Sequence, residues 1–221
     1  YWADEAATVT ATQPKFRRVR LELNKLMGLC YATEELLADA SAIEAYISRA
    51  FGEEFGFKLD DAVLNGTGAG QPKGVLAAGC LVSQAKETGQ AAKTIVANNI
   101  IKMWNRLWAP SRSNAVWFIN QDVEPALSTM SLPVGTGGVS VYMPPSGLSG
   151  SPYSSLYGRP VIPVEQCATL GSVGDIILAD MSQYLMIDKG GMRAESSMHV
   201  RFVYDEMAYR FTYRCDGQPW W

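Results

Sequence analysis

Histidine is almost missing from this chain of 221 residues: His199 stands alone, and the four cysteines, Cys30, Cys80, Cys167 and Cys215, lie far apart. No two cysteines have the paired spacing of a zinc site, and nothing suggests a disulfide framework, so a reduced, cytosolic origin fits. Charge of one sign is also lacking. With 19 basic and 22 acidic residues the formal charge is -3, which does not advertise the strong basic field of a sequence-specific duplex binder. The apolar stretch Ala115-Val-Trp-Phe-Ile119 is far too short to cross a bilayer and reads as a buried strand, so no membrane is expected as a partner. The opening residues Tyr1-Trp-Ala-Asp-Glu5 contain neither an initiator methionine nor a basic-then-apolar signal, and the chain is expected to begin inside a longer protein.

These shortages weaken the case for catalysis. One reading has His199 activating Cys80, Cys167 or Cys215 in a small cysteine hydrolase, but no local cysteine signature accompanies the histidine. The paired carboxylates Glu53-Glu54 and Asp60-Asp61 fall on a predicted helix, where adjacent side chains diverge and cannot share a substrate. They read as solvated or interface charges. No catalytic, cofactor-binding or metal-binding residue is assigned, and no enzyme activity is expected.

What is present is apolar material, 48% of the chain, with six tryptophans. That is enough for one large domain or two small ones sharing a continuous core. Phe16, Val19, Leu21 and Leu23 alternate with Arg18, Arg20 and Glu22, which predicts an extended arm running into a half-wet strand. Ile43, Ile47, Phe51, Phe55 and Leu59 then recur every four residues, the spacing of one helix face. Ser41 and Glu44 fit a capping box, so one helix is expected from Ser41 to Asn65, with Gly66 as a left-handed stop. Gly52 and Gly56 would leave a smooth notch on it for another backbone, or are simply tolerated weak points.

The glycine-rich stretch Asn65-Gly-Thr-Gly-Ala-Gly-Gln-Pro-Lys-Gly74 is not a phosphate cradle. Its spacing matches no nucleotide motif, and it leaves a helix where such loops leave a strand. A second helix is predicted from Asn98 to Trp108, a strand from Ala115 to Ile119, and a short helix ending near Met130. Trp104 and Trp108 share an apolar helix face and read as core rather than as stacking platforms. Trp2, Trp220 and Trp221 would be exposed where neighbours are missing. Residues 131–152 are rich in Pro, Gly and Ser and read as a loop or loosely paired hairpin. Strands are then expected at 161–164, 175–178, 184–188, 192–195, 201–204 and 207–214, forming a β-meander with Lys189-Gly-Gly191 as a hairpin turn. The fold class is α+β.

Several short elements then fall into a known order. Glu35-Leu-Leu-Ala-Asp39, the long helix, Asp60-Asp-Ala-Val-Leu-Asn-Gly-Thr-Gly68 and Gln71-Pro-Lys-Gly-Val75 resemble the central stretch of tailed-phage major capsid proteins of the Hong Kong 97 fold. Asn114-Ala-Val-Trp-Phe-Ile-Asn120, Leu156-Tyr-Gly-Arg-Pro-Val161, Ala179-Asp-Met-Ser-Gln-Tyr184 and Tyr209-Arg-Phe-Thr-Tyr-Arg-Cys-Asp-Gly217 continue the match.

The resemblance implies a structural protein that assembles with copies of itself, through pentamers and hexamers, into an icosahedral shell around double-stranded DNA. It further implies residues 1–20 as the return half of an extended loop, 21–74 as a peripheral domain with a spine helix, 75–180 as an axial domain, and 181–221 as strands returning to the peripheral domain. An N-terminal arm and a closing strand after the Asp216-Gly217 turn would be absent. Portal, head-maturation protease, scaffold and non-specifically held DNA are the implied partners, and the virion, assembled in the bacterial cytoplasm, the implied location. Some relatives form Lys–Asn cross-links; Lys15 is the only lysine near the loop, and no cross-link is assigned. A bacterial nanocompartment (encapsulin-like) shell protein, holding protein cargo, shares this fold and stays open as an alternative.

Overall fold

The computed structural model describes residues 13, 15–39, 42–134, 137–140, 142 and 155–220. Its longest element is a 23-residue helix, α2 (Ile43–Asn65), about 35 Å long at ~1.5 Å per residue. It follows a strand, β1 (Asn24–Thr33), and a short helix, α1 (Glu34–Asp39). The i+4 row predicted from the sequence is the row that packs: Ile47, Phe51 and Phe55 close with Tyr209 and Phe211 over Ala32 into one core cluster. Its outward side carries the i,i+4 pairs Arg49–Glu53 and Lys58–Glu54, so the Glu53-Glu54 pair is solvated.

α2 ends at Asn65 before Gly66 as expected, but its start and the geometry of its stop differ from expectation. The helix starts after Ala42, which makes no side-chain capping bond, and the Ser41 half of the predicted capping box lies outside the described residues. At the other end Gly66 has φ -56° and ψ 140°, so it is not left-handed. Glycine is needed there for closeness, because a Cβ would collide with the Pro72 and Ala62 carbonyl oxygens. Among the described residues, and apart from the helix's own backbone, nothing lies within 4 Å of a Cβ placed on Gly52 or Gly56, so neither glycine serves a contact with them.

α2 lies on a four-stranded sheet whose central member is the 14-residue β10 (Glu206–Pro219). β1 runs antiparallel along one edge, from Asn24 opposite Cys215 to Thr33 opposite Glu206. The other edge is shared by β8 (Tyr184–Asp188) and β9 (Arg193–Arg201), which meet β10 one after the other. The predicted hairpin at Lys189-Gly-Gly191 is therefore a jog in one interrupted strand: the Lys189 amide still donates to the Arg214 carbonyl at 3.0 Å. The chain reverses later, at the 3-10 turn Phe202–Tyr204, which was expected to be strand, so the meander is one long hairpin. Asp216-Gly217, expected as a turn, lies inside β10. The strand expected at 16–23 is extended coil.

A second unit carries the rest. α3 (Ala97–Arg106) ends two residues before the predicted Trp108. It packs on a sheet of order β5-β6-β2-β7, made of β2 (Val116–Ile119), β5 (Ser155–Leu156), β6 (Arg159–Pro163) and β7 (Ile176–Ala179). β2 is parallel to β6 and antiparallel to β7. Trp117, Ile119, Val123 and Leu127 are wholly buried here with Ile100 and Val161, as the run of bulky apolar residues on β2 requires. Between β2 and β6 lie α4 (Glu124–Ser128) and a hairpin of β3 (Ser131–Val134) with β4 (Gly137–Ser140).

A third cluster joins the two units. Leu64 at the end of α2 packs with Cys167 and Ile177, and Asn65 Nδ2 donates to Gln166 O at 2.8 Å. The glycine-rich turn closes the junction, with Lys73 N donating to Gly217 O and Gly74 N to Gly66 O, both at 2.7 Å.

Candidate assembly surface

The residues considered for catalysis are not brought together. His199 is exposed on β9, while Cys167 and Cys215 are buried and Cys80 is exposed. Cys215 lies seven residues along β10 from Ala208, the partner of Ser197, or ~23 Å at 3.3 Å per residue. Burial first, and Asp175 second, push the Cys167 thiol up to about 11, the opposite of what a nucleophile needs. Among the described residues no group of three or more His, Cys, Asp or Glu could hold a metal. Trp104 stacks on Tyr157 with ring centroids 5.0 Å apart and Arg112 over it, in keeping with a packing role. Trp108 is half exposed beyond the helix end.

The features that stand out face outward. At the turn between β9 and β10, Phe202, Val203 and Tyr204 are 75%, 91% and 69% exposed. Sequence reading missed this turn because its apolar residues look like a strand; the only local signal is Asp205, which adopts φ 56° and ends the turn. The base is held firmly. Arg201 pairs with Glu206 at 3.1 Å and its guanidinium lies 4.2 Å from the Tyr31 ring centroid and 5.6 Å from that of Tyr204. The Glu34 amide donates to the Asp205 carbonyl at 3.1 Å. A rigid apolar knob thus projects from the end of the long sheet, with Val200 and Met198 also exposed on β9. Water contact with such a knob is unfavourable, and a cover from another molecule removes it.

The opposite end of β10 holds the incoming arm. Arg17 donates to Trp220 O at 2.7 Å, Glu22 N to Asp216 Oδ2 at 2.6 Å, and Gln218 Nε2 to Arg20 O at 2.8 Å. Residues 15–23 are therefore laid along the sheet end by polar bonds, while Phe16 stays exposed. Lys15 is exposed as well.

Residues 1–220 match the description "Phage capsid family". The chain belongs to that family. A capsid polyprotein of Pseudomonas phage PAJU2 is 25% identical over 211 residues, 90% of this chain and 30% of that protein. The chain thus spans under a third of the length of that curated relative. Among solved structures, the capsid of a native GTA particle superposes with a TM-score of 0.77 at 18% identity, over 98% of this chain and 76% of the other. The encapsulin SrpI of Synechococcus elongatus, in its holo complex, gives 0.59 at 13% identity over 89% and 70%. The α+β arrangement of a long helix on a long sheet, with a second helix-and-sheet unit, is the Hong Kong 97-type capsid fold.

Proposed function

We propose that this chain is the shell-forming part of a major capsid protein of a tailed double-stranded-DNA phage or prophage. Copies assemble through pentamers and hexamers into an icosahedral shell around the genome. The observation that carries the reading is the apolar knob Phe202–Tyr204, held outward on a capsid fold and left uncovered by the described residues. Family membership supports it. Contacts of this kind are individually modest and gain strength by repetition around closed symmetry.

In this reading residues 1–20 form the return half of an extended loop over a neighbouring copy. Residues 21–74 and 181–221 form the peripheral domain around α2, and 75–180 the axial domain. Portal, maturation protease and scaffold are the further partners, with assembly in the bacterial cytoplasm and the virion as destination. The chain acts structurally and not as an enzyme. The likeness to an encapsulin favours a second reading, a nanocompartment shell with protein cargo.

Electron microscopy of the full-length protein, with its protease and scaffold supplied, tests the proposal. Rings or shells are expected, and F202D/V203D should abolish them while leaving the circular dichroism of the subunit unchanged. Absence of any ring or shell from the unsubstituted protein overturns it. Particles that carry a protein cargo in place of nucleic acid transfer the reading to a nanocompartment.

A further inference from the structure

We infer that Asn65-Gly66, at the junction of the two units, is a self-modification site. When the junction opens, Asn65 loses its side-chain amide as ammonia, and the carboxylate that replaces it hinders reclosing. The inference stands on the geometry of the junction and does not depend on the shell reading. This is the one Asn-Gly pair in the chain. Asparagine ahead of glycine is chemically labile, because a glycine amide has no side chain to shield its nitrogen from the asparagine side-chain carbon. Here the fold imposes the second member of the pair, since a Cβ on residue 66 would collide with the Pro72 and Ala62 carbonyl oxygens. Asn65 itself is exposed, so water reaches it.

The closed junction holds the reaction off at both atoms that must move. Asn65 Nδ2, the leaving nitrogen, donates to Asp61 Oδ1 at 2.7 Å and to Gln166 O at 2.8 Å. Gly66 N, the nucleophile, donates to Ala62 O at 2.9 Å. Asn65 is also the last residue of α2, and a helical ψ keeps the following nitrogen from an in-line approach to its own side chain. Two of these three bonds lie at the helix end, but the third ties α2 to the second unit. Leu64, beside Asn65, packs on Cys167 and Ile177 of that unit. Separation of the units therefore frees Nδ2 from Gln166 and strips the last turn of α2 of its cover. Fraying of that turn then releases Gly66 N.

The step needs only water. Gly66 N attacks Asn65 Cγ and the Cγ–Nδ2 bond breaks; the Gly66 amide proton leaves with the nitrogen as ammonia, and a cyclic imide remains. Water then opens the imide at one of its two carbonyls, giving aspartate or an isoaspartyl link. Aspartate sets a carboxylate four residues from Asp61, a like-charge pair on one helix face, and faces the Gln166 carbonyl where a donor stood. The isoaspartyl link adds a methylene to the main chain at Gly66, whose backbone already packs closely on Ala62, Pro72 and Gly74. Either product opposes closure, so an opening that lasts becomes permanent.

The test is peptide mapping by mass spectrometry of the full chain kept at pH 8, which counts the Asn, Asp and isoaspartyl forms of residue 65 with time. The native chain should convert roughly tenfold or more slowly than a free peptide of residues 60–70, the factor that a single lost hydrogen bond allows. D61A should speed the reaction, whereas D61N, which keeps the accepting oxygen, should not. I177V, which trims the packing against Leu64 and is mild enough to leave the fold intact, should speed it as well. Conversion as fast as in the peptide, equal rates in D61A and D61N, or a rate that I177V leaves unchanged overturns the proposal. The last result would make the guard a property of the helix end alone.

The effect of the product is read on Cys167, the buried thiol of the same junction. N65D should raise its labelling by iodoacetamide roughly tenfold over the native chain, because a buried thiol reacts only from an opened state. N65S, which loses the donor without adding a charge, should raise it less. Labelling of N65D at the native rate overturns the one-way step.

Discussion

The ring of Phe51 fills the space that a side chain on Gly28 would need: a Cβ there would lie 2.5 Å from Phe51 Cε1 and 3.3 Å from Phe55 Cε1. Phe51 is also held by Phe211, the partner of Gly28 across β1 and β10, which is stacked on it at 4.4 Å and 17° and is wholly buried. α2 thus rests on β1 at a place where β1 has no side chain. Gly28→Ala should cost ~1–3 kcal/mol by overpacking, and Phe211→Ala ~3–5 kcal/mol by leaving a cavity. Urea midpoints measure both. Combining G28A with F51A should cost less than the sum of the two, because the second change removes the obstacle to the first.

The junction of the two units gives a second prediction. A Cβ on Gly74 would lie 2.5 Å from Gly66 N and 2.6 Å from Leu64 O, and these are backbone atoms that cannot rotate away. Gly74→Ala should therefore disrupt the turn and remove most of the soluble, folded yield. A Cβ on Gly70, in the same turn, would have no described residue within 4 Å, but φ there is +71°, so Gly70→Ala should cost only the left-handed penalty of ~1–2 kcal/mol. Yield and thermal midpoint of the two variants separate closeness from handedness.

That contrast also marks how far the sequence can be read. The row from Ile47 to Phe55 on α2 and the buried run of β2 were legible because their buried positions differ in kind from the exposed ones. β1 was not. Its exposed positions include Met27, Leu29 and Tyr31, as apolar as the half-buried Leu26 and Cys30, so period two vanishes from the pattern. The clean alternation at 16–23 instead belongs to an arm held by polar bonds to Trp220, Asp216 and Gln218. Lys189-Gly-Gly191 has the composition of a hairpin, and only pairing to β10 shows that the ladder passes through it. The neighbourhood of Lys25 and Arg214 was hidden for a related reason: the two stand opposite each other only through the register of β1 on β10.

The thiols should react in an order set by exposure. Cys80 is exposed and Cys30 partly so, while Cys167 and Cys215 are buried and burial raises both of their pKa values. At pH 7.5 iodoacetamide should modify Cys80 first and Cys30 more slowly, leaving the other two protected until urea is added. Peptide mass mapping with time reads this directly. Fast labelling of Cys167 or Cys215 in the native protein would revive the hydrolase reading.

Alkali should weaken the fold at the junction, through Tyr184. Its hydroxyl donates to Lys73 O at 3.1 Å, and its ring leaves no room for a side chain on Gly217, where a Cβ would lie 2.5 Å from Cε1. Burial, followed by Asp216 and Cys215, pushes the phenol up to about 12 from an ordinary 10. The unfolded chain therefore gives up this proton first. The stabilisation is complete below about pH 10 and is lost as pH rises through 12, and Cys167 acts the same way from about pH 9 towards 11. Tyr209 and Tyr213, raised mainly by burial, add to the decline. Tyr184→Phe should cost ~1 kcal/mol at neutral pH for the lost hydrogen bond, yet make stability fall less steeply between pH 10 and 11. Urea midpoints of the two proteins from pH 7 to 11 should converge; parallel curves would mean that the phenol titrates alike in the folded and unfolded chain and that its burial at the junction is not maintained in solution.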